Sequence, residues 1–364
     1  MKYGKKLRNK VLSFWAFACF LPIMLLVSGC EEGLFRPPQT GNEGANQDGA
    51  GNGSGSGNES SSKDPTTRLN TVATVCSKLK SSDPYVLQLA SEVSGDIESY
   101  AFTGQNSFDQ TFEEQERIAD GFLATKEQGR GVVSVFIDME QGTRGACTGS
   151  LIAEDWVLTA AHCFVNPNNE NEAASLVRVY ASSLTKFGGT PVVGTPYCHN
   201  EYGFRAGRYK NDLALVRLNR SVEAPLMPLV QSTSTPMETR SSETLISLFG
   251  FGQLNPTQVA SKLMFGEVKS APRGKKCKRD GVFCTQTTDL FGRRPSSLCP
   301  GDSGGPAKAE QDDGSSRQVG VNSYIFNEDP KEKPLCGKPG NVSAMVDVYQ
   351  YLDWIEAVVA EQRY

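Results

Sequence analysis

Ser303 stands inside SSLCPGDSGGPA, residues 296–307, a run that neither a regular helix nor a plain strand tolerates. Its three glycines open backbone conformations closed to other residues, and its two prolines remove donors. Either this is a tight surface turn, or it is a loop that presents the Ser303 hydroxyl as a nucleophile beside bare backbone N–H groups. A serine hydroxyl is a weak nucleophile until a base takes its proton. Histidine, titrating near neutrality, is the usual base. The chain has two histidines. His162 follows an apolar, strand-like run through two alanines in VLTAAHCF, 157–164. His199 lies among turn-formers in PYCHNEYG, 196–203, and reads as a surface loop residue. A histidine base needs a carboxylate to fix its tautomer and stabilise the imidazolium. Counting cannot choose among 41 acidic residues. The context of Asp212 is distinctive, however. In KNDLALVRL, 210–218, it sits at the mouth of an alternating apolar strand, where a charge is costly unless paired.

The elements that must hold these groups are short apolar stretches bounded by turn residues. GVVSVFID (131–138), SLVRVYAS (175–182), ETLISLFGFG (243–252) and RQVGVNSYIF (317–326) predict an all-β barrel or sandwich. The last such segment is VDVYQYLDWIEAVVAEQ, 346–362, where Val348, Leu352, Ile355 and Val359 recur at helical spacing.

LTAAHC, NDLALVRL and CPGDSGGP resemble the three signature segments of the chymotrypsin-like serine proteases of the trypsin fold. They follow the family's order, His, Asp, Ser, at separations of about 50 and about 90 residues. The resemblance covers Ile118 to Tyr364. It implies two six-stranded antiparallel β-barrels with a C-terminal α-helix and a catalytic cleft between the barrels. It implies a serine endopeptidase acting on protein or peptide substrates, with no cofactor and no metal. Ser303 is then the nucleophile, His162 the general base and acid, and Asp212 the orienting carboxylate. The N–H groups of Gly301 and Ser303 form the oxyanion hole, and a side chain at 301 would hinder the turn that aims them. Ser323, in VGVNSYIF, corresponds to the strand that binds substrate backbone. Ser297, six residues before the nucleophile, falls at the floor of the primary pocket, with Leu298 beside it. Aligning Ser323-Tyr324-Ile325 with the family's Ser-Trp-Gly places Ile325 where a pocket wall usually has glycine. Without an acidic floor, a substrate Lys or Arg would be buried unpaired. Small or medium aliphatic side chains are expected instead.

QERIADGF, 115–122, resembles the family's activation junction. The resemblance implies cleavage after Arg117 and a new terminus at Ile118, whose ammonium pairs with Asp302. Ala119-Asp120 replaces the family's usual Val-Gly, while Gly121 is retained. Cleavage at Arg130-Gly131 would leave too short a run before Cys147. An enzyme averse to Lys and Arg cannot cut Arg117 itself, so a separate trypsin-like protease is the expected activator.

The first ten residues carry Lys2, Lys5, Lys6, Arg8 and Lys10, followed by the apolar run VLSFWAFACFLPIMLLV, 11–27. This is the layout of a secretory signal. It ends in VSGC, which resembles the bacterial lipobox, so Cys30 is the expected lipidation site. The alternative is an uncleaved membrane anchor, for which the run is marginal in length. Glu31 after the cysteine favours the outer membrane by analogy. The organisation expected is a signal peptide over 1–29, a Gly/Asn/Ser-rich tether over 30–66, a propeptide over 67–117 and the protease domain over 118–364. In the propeptide, SDPYVLQLASEVS (82–94) suggests a short helix and DQTFEEQE (109–116) an exposed acidic loop.

Ten cysteines, less Cys19 in the signal and Cys30, leave eight, an even set that reads as disulfides in an exported chain. The lack of paired CxxC units and the scarcity of histidine argue against structural zinc. The family resemblance implies Cys147–Cys163, Cys299–Cys336 and Cys277–Cys284; by elimination Cys76 pairs with Cys198, which would keep the propeptide attached. A net charge of −4 in 364 residues argues against nucleic acid as a partner. Two rival classes fit the sequence less well. An esterase would favour a GxSxG elbow and the order Ser, Asp, His. A non-catalytic binding or adhesion lipoprotein on a protease scaffold is disfavoured by the intact segments.

Overall fold

The computed structural model describes residues 73–76, 118, 121–166, 169–181, 184–205, 208–237, 240, 243–255, 258–271, 277, 281–286 and 296–361. The expected signal peptide, Cys30, the tether, Arg117 and the helix over 82–94 lie outside these residues.

Six strands close on themselves in the first half. Val132–Met139, Arg144–Ala153, Trp156–Thr159, Ala214–Leu218, Val192–His199 and Asn169–Tyr180 are neighbours in that order, and the last pairs back to the first. The β-branched runs read from the sequence supply the interior. Val133, Val135, Ile137, Val157, Val177, Val179 and Leu215 are all buried. Branched side chains suit the half of a pleated sheet that faces a core.

The second half repeats the device. Val282–Cys284, Asn341–Asp347, Ser316–Asn327, Pro306–Glu310, Leu245–Gly250 and Met264–Lys269 form a continuous antiparallel sheet. A bridge between Ser270 and Thr285 joins its two ends, with Ala271 N–H donating to Cys284 O at 2.7 Å and Gln286 N–H to Lys269 O at 2.9 Å. The protein therefore has the predicted two six-stranded barrels and a C-terminal helix.

Two short segments decorate the barrels. Phe122–Leu123 pairs with Met264 and Phe265 on the second. Ala73–Val75 adds an outer strand to Val192–His199 on the first, with Ala73 fully buried. Disulfides join Cys76 to Cys198, Cys147 to Cys163, Cys277 to Cys284 and Cys299 to Cys336.

Two local expectations need correction. The last element begins as a 3-10 turn, Val348–Tyr351, with Asp347 accepting the Tyr349 N–H, and becomes an α-helix only over Leu352–Glu361. The tighter turn rotates the later face. Val348, Tyr351, Trp354, Ile355 and Val358 are buried, while Leu352 and Val359 are only half-buried. His199 is not a surface loop residue. It ends the strand Val192–His199, and its ring meets Trp354 at 5.3 Å and Tyr351 at 5.6 Å. The chain after it turns, as the composition suggested, but the aromatic face of the C-terminal helix covers the imidazole. Burial pushes the pKa of His199 down.

Candidate active site

His162 is delivered by the strand Trp156–Thr159. Ala160 stays extended, and a 3-10 turn over Ala161–Cys163 then carries the imidazole. Both alanines are fully buried, so small side chains are what the packing admits. Cys147–Cys163 fastens the turn to the neighbouring strand. Asp212 is delivered from the other side. Asn211 has φ +48°, a left-handed conformation that asparagine tolerates better than most residues. Tyr351 Oη donates to Asn211 Oδ1 at 2.7 Å, and Asn211 Nδ2 donates to Glu201 O at 3.1 Å. The bend turns Asp212 inward just before the strand Ala214–Leu218 begins.

The two groups meet squarely. His162 Nδ1 lies 2.7 Å from Asp212 Oδ2, and the His162 backbone N–H donates to Asp212 Oδ1 at 2.9 Å. Ser323 Oγ donates to Asp212 Oδ2 as well. Burial alone would push the Asp212 carboxyl up. The His162 charge and the hydrogen bonds from His162 and Ser323 outweigh burial and hold it below the usual carboxylate range. An ionised carboxylate only accepts, so Nδ1 must carry a proton, and in the neutral imidazole Nε2 is the nitrogen that keeps its lone pair. Tyr209 stacks on the imidazole, with centroids 4.8 Å apart and planes at 10°, and its ring also meets Phe204 and Tyr324.

Ser303 lies in a turn that the glycines make possible. Gly301 has φ +97°, and a Cβ there would sit 2.8 Å from Gly252 Cα. Gly304 has φ +79°, and its Cβ would overlap Thr159 Oγ1, Thr148 O and Ala160 N. The serine turn is thus pressed against the segment leading to His162. Thr148 pins it from the first barrel: its N–H donates to Ser303 O at 2.8 Å and its Oγ1 to Gly301 O at 2.9 Å. Asn322 pins it from the second, with Nδ2 donating to Asp302 O at 3.2 Å and its carbonyl accepting Gly304 N–H at 2.7 Å. No motif singled out Thr148 or Asn322. Their partners are 153 and 20 residues away in the chain, a relation that only folding creates.

Asp302 is 1% exposed. Its Oδ1 accepts Gly252 N–H at 2.8 Å and its Oδ2 accepts Cys299 N–H at 2.9 Å. Burial nevertheless pushes its carboxyl up to about 7, against those donors and the attraction of Lys186. Among the described residues it forms no ion pair. Ile118 is also buried, near Gly266 and Ser296, with φ +39°. That torsion is an outlier for a β-branched residue.

The residues read as a pocket gather beside this turn. Ser297 is buried, and its Oγ has no hydrogen-bond partner among the described residues. Leu298, also buried, donates its N–H to Ser343 Oγ at 3.0 Å. Ser343 is the register partner of Ile325, so the two face each other across adjacent strands, with Tyr324 opposite Ala344. Ser343 went unrecognised in the sequence because the segment around it carries no anchoring motif. Among the described residues, no group of three His, Cys, Asp or Glu side chains is placed to hold a metal ion.

Comparison with known proteins agrees with this architecture. The family model described as Trypsin matches residues 121–355. Serine protease SP24D of Anopheles gambiae is 28% identical over 246 residues, 67% of this chain and 81% of that protein. Chymotrypsin-like elastase family member 3B of Homo sapiens is 28% identical over 255 residues, 67% of this chain and 89% of that protein. The solved structure of HL collagenase shares the fold, with a TM-score of 0.51 at 23% identity over 66% of this chain and 98% of its own. These relatives point to a peptidase of the serine endopeptidase type. The matched span holds both barrels and all three signature segments, and on that ground the chain belongs to the trypsin family.

Proposed function

We propose that the protein is an exported serine endopeptidase made as an inactive precursor. The observation that carries the catalytic reading is the buried chain of hydrogen bonds from Ser323 through Asp212 to His162, set against a glycine-shaped turn that holds Ser303. In this reading Ser303 Oγ attacks the carbonyl carbon of the scissile bond as its proton passes to His162 Nε2. Asp212 keeps the imidazole in the required tautomer and stabilises the imidazolium. The oxygen that gains charge takes hydrogen bonds from the N–H groups of Gly301 and Ser303. His162 then returns the proton to the leaving amine, and water hydrolyses the acyl-enzyme by the same steps.

Activation is cleavage after Arg117. Two costs support this: a buried carboxylate at Asp302 that has no ion pair among the described residues and a left-handed torsion at Ile118. The φ torsion of Ile118 includes the carbonyl carbon of residue 117, so cutting that bond removes the torsional constraint. It also creates an ammonium on a residue already buried beside Gly266. Primary specificity is for small or medium uncharged side chains, because Ser297, Ile325 and Ser343 bring no carboxylate and one branched wall. The natural site of action is a bacterial membrane, probed through the acylated Cys30, with proteins or peptides as substrates and a trypsin-like protease as activator.

A fluorophosphonate probe tests the catalytic reading. Trypsin-cleaved protein should be labelled on Ser303. Absence of label after verified cleavage would favour a binding protein on a protease scaffold.

A further inference from the structure

Lys186 belongs to no motif and lies between the strands Asn169–Tyr180 and Val192–His199 of the first barrel. Its segment nevertheless crosses to the second barrel. Lys186 N–H donates to Ser261 O at 2.8 Å, Leu263 N–H donates to Leu184 O at 2.6 Å, and Thr185 bridges to Lys262. From this anchored position the half-buried side chain turns inward, and Nζ donates to Phe251 O at 2.8 Å. The next N–H in the chain, that of Gly252, is the one Asp302 Oδ1 accepts. The acceptor of the ammonium and the donor to the carboxylate are therefore the two ends of one peptide group, Phe251–Gly252. Burial lowers the Lys186 pKa to about 8, and attraction to Asp302 opposes the fall. A cation is costly to bring out of water, and the nearby buried anion is what offsets the cost.

We propose that Lys186 is a standby cation for Asp302, a positioning residue that acts on the site through that carboxylate. In the uncut chain its field favours the charged form of Asp302, turned inward on the N–H groups of Gly252 and Cys299. That holds in place the turn over 299–303, which carries the N–H groups of Gly301 and Ser303. The ammonium of Ile118 takes over after cleavage. This rests on the activation reading above and deepens it: the precursor is not wholly silent, and Lys186 sets its residual activity.

The test uses full-length precursors with Arg117→Gln, which a trypsin-like activator cannot cut at that bond. Labelling by a fluorophosphonate is followed with time. The Arg117→Gln precursor should label slowly but measurably. Adding Lys186→Met, which keeps the stem and removes the charge, should slow labelling at least about tenfold. Lys186→Arg should restore most of the rate, as a structural role for the stem would not require. With Arg117 intact, trypsin-cleaved Lys186→Met should return to within about fivefold of the cleaved parent, because the new ammonium supplies the charge. Equal rates for the two uncut precursors would overturn the proposal, as would no labelling of either. Faster labelling of the Lys186→Met precursor would make Lys186 a lock instead. A cleaved Lys186→Met protein as slow as its precursor would make it a packing residue. Labelling of Arg117→Gln as fast as that of the cleaved parent would instead overturn the activation reading, whatever Lys186 does.

Discussion

The carboxylates on the two sides of the cleft are in opposite conditions. Asp212, on the first barrel, is buried and receives three donors, two from His162 and one from Ser323; its carboxyl is held below the usual range. Asp302, next to the serine, is just as buried and receives two backbone N–H groups, and its carboxyl is pushed up to about 7. The difference lies in the partners. His162 can carry a full positive charge in contact with Asp212, whereas two backbone dipoles and the more distant Lys186 do not offset burial of Asp302. The histidine half of the site thus has its charge partner in contact, whereas among the described residues the serine half has none paired directly with its carboxylate.

The largest expected effect falls on the shared chemistry. Ser303→Ala should lower peptide hydrolysis by roughly 10⁵–10⁶-fold while leaving expression and melting temperature unchanged, and His162→Ala should cost nearly as much because the two act as a unit. His199→Ala should change turnover less than about fivefold, since its ring packs on Tyr351 and Trp354 away from that unit. Comparable losses at both histidines would mean the base is misassigned.

The next effect breaks the asymmetry. Arg117→Gln should leave the precursor at least about a hundredfold below the cleaved enzyme, and Asp302→Asn should be as poor even when cut, matching roughly 3–5 kcal/mol for a buried pair missing one partner. N-terminal sequencing beside each assay establishes whether Ile118 is free. Pure precursor left alone should not cut at Arg117. Self-cleavage there, absent in Ser303→Ala, would undo the uncharged-pocket reading.

A smaller effect concerns that pocket. Ile325→Gly should raise kcat/KM for substrates with a large aromatic residue before the scissile bond by about tenfold, the scale of a few methylenes in an apolar site. It should do little for Lys or Arg substrates, because Ser297 stays neutral. A library of short peptides read by mass spectrometry would separate the two. A gain for Lys and Arg alone would place the wall elsewhere.

The smallest effect is thermodynamic and has a definite sign. Asp302 has a folded-state pKa of about 7 against an ordinary 3.8, so the folded precursor binds more protons than the unfolded chain between those values. Its stability therefore falls as pH rises through that window, by up to about 4 kcal/mol from this group alone. Calorimetry should find that Asp302→Asn flattens the dependence. Cleavage after Arg117, by supplying a cation, should raise the melting temperature more at pH 8 than at pH 5. An equal rise at both would mean that the new terminus does not reach Asp302.

What the linear sequence determined was everything local. The glycines and prolines around Ser303 admit one kind of turn, Asn211 before Asp212 suits a left-handed bend, and β-branched runs at short spacing make barrels; such preferences act within a few residues. The motifs carried His162, Asp212 and Ser303 for the same reason. Only the tertiary structure decided relations across the chain. It set Thr148 under the serine turn and Ser343 opposite Ile325, covered His199 with Trp354, and brought Lys186 beside the peptide that serves Asp302. None of these has a motif, because each depends on two distant segments being packed together, and no local preference encodes which segments those are.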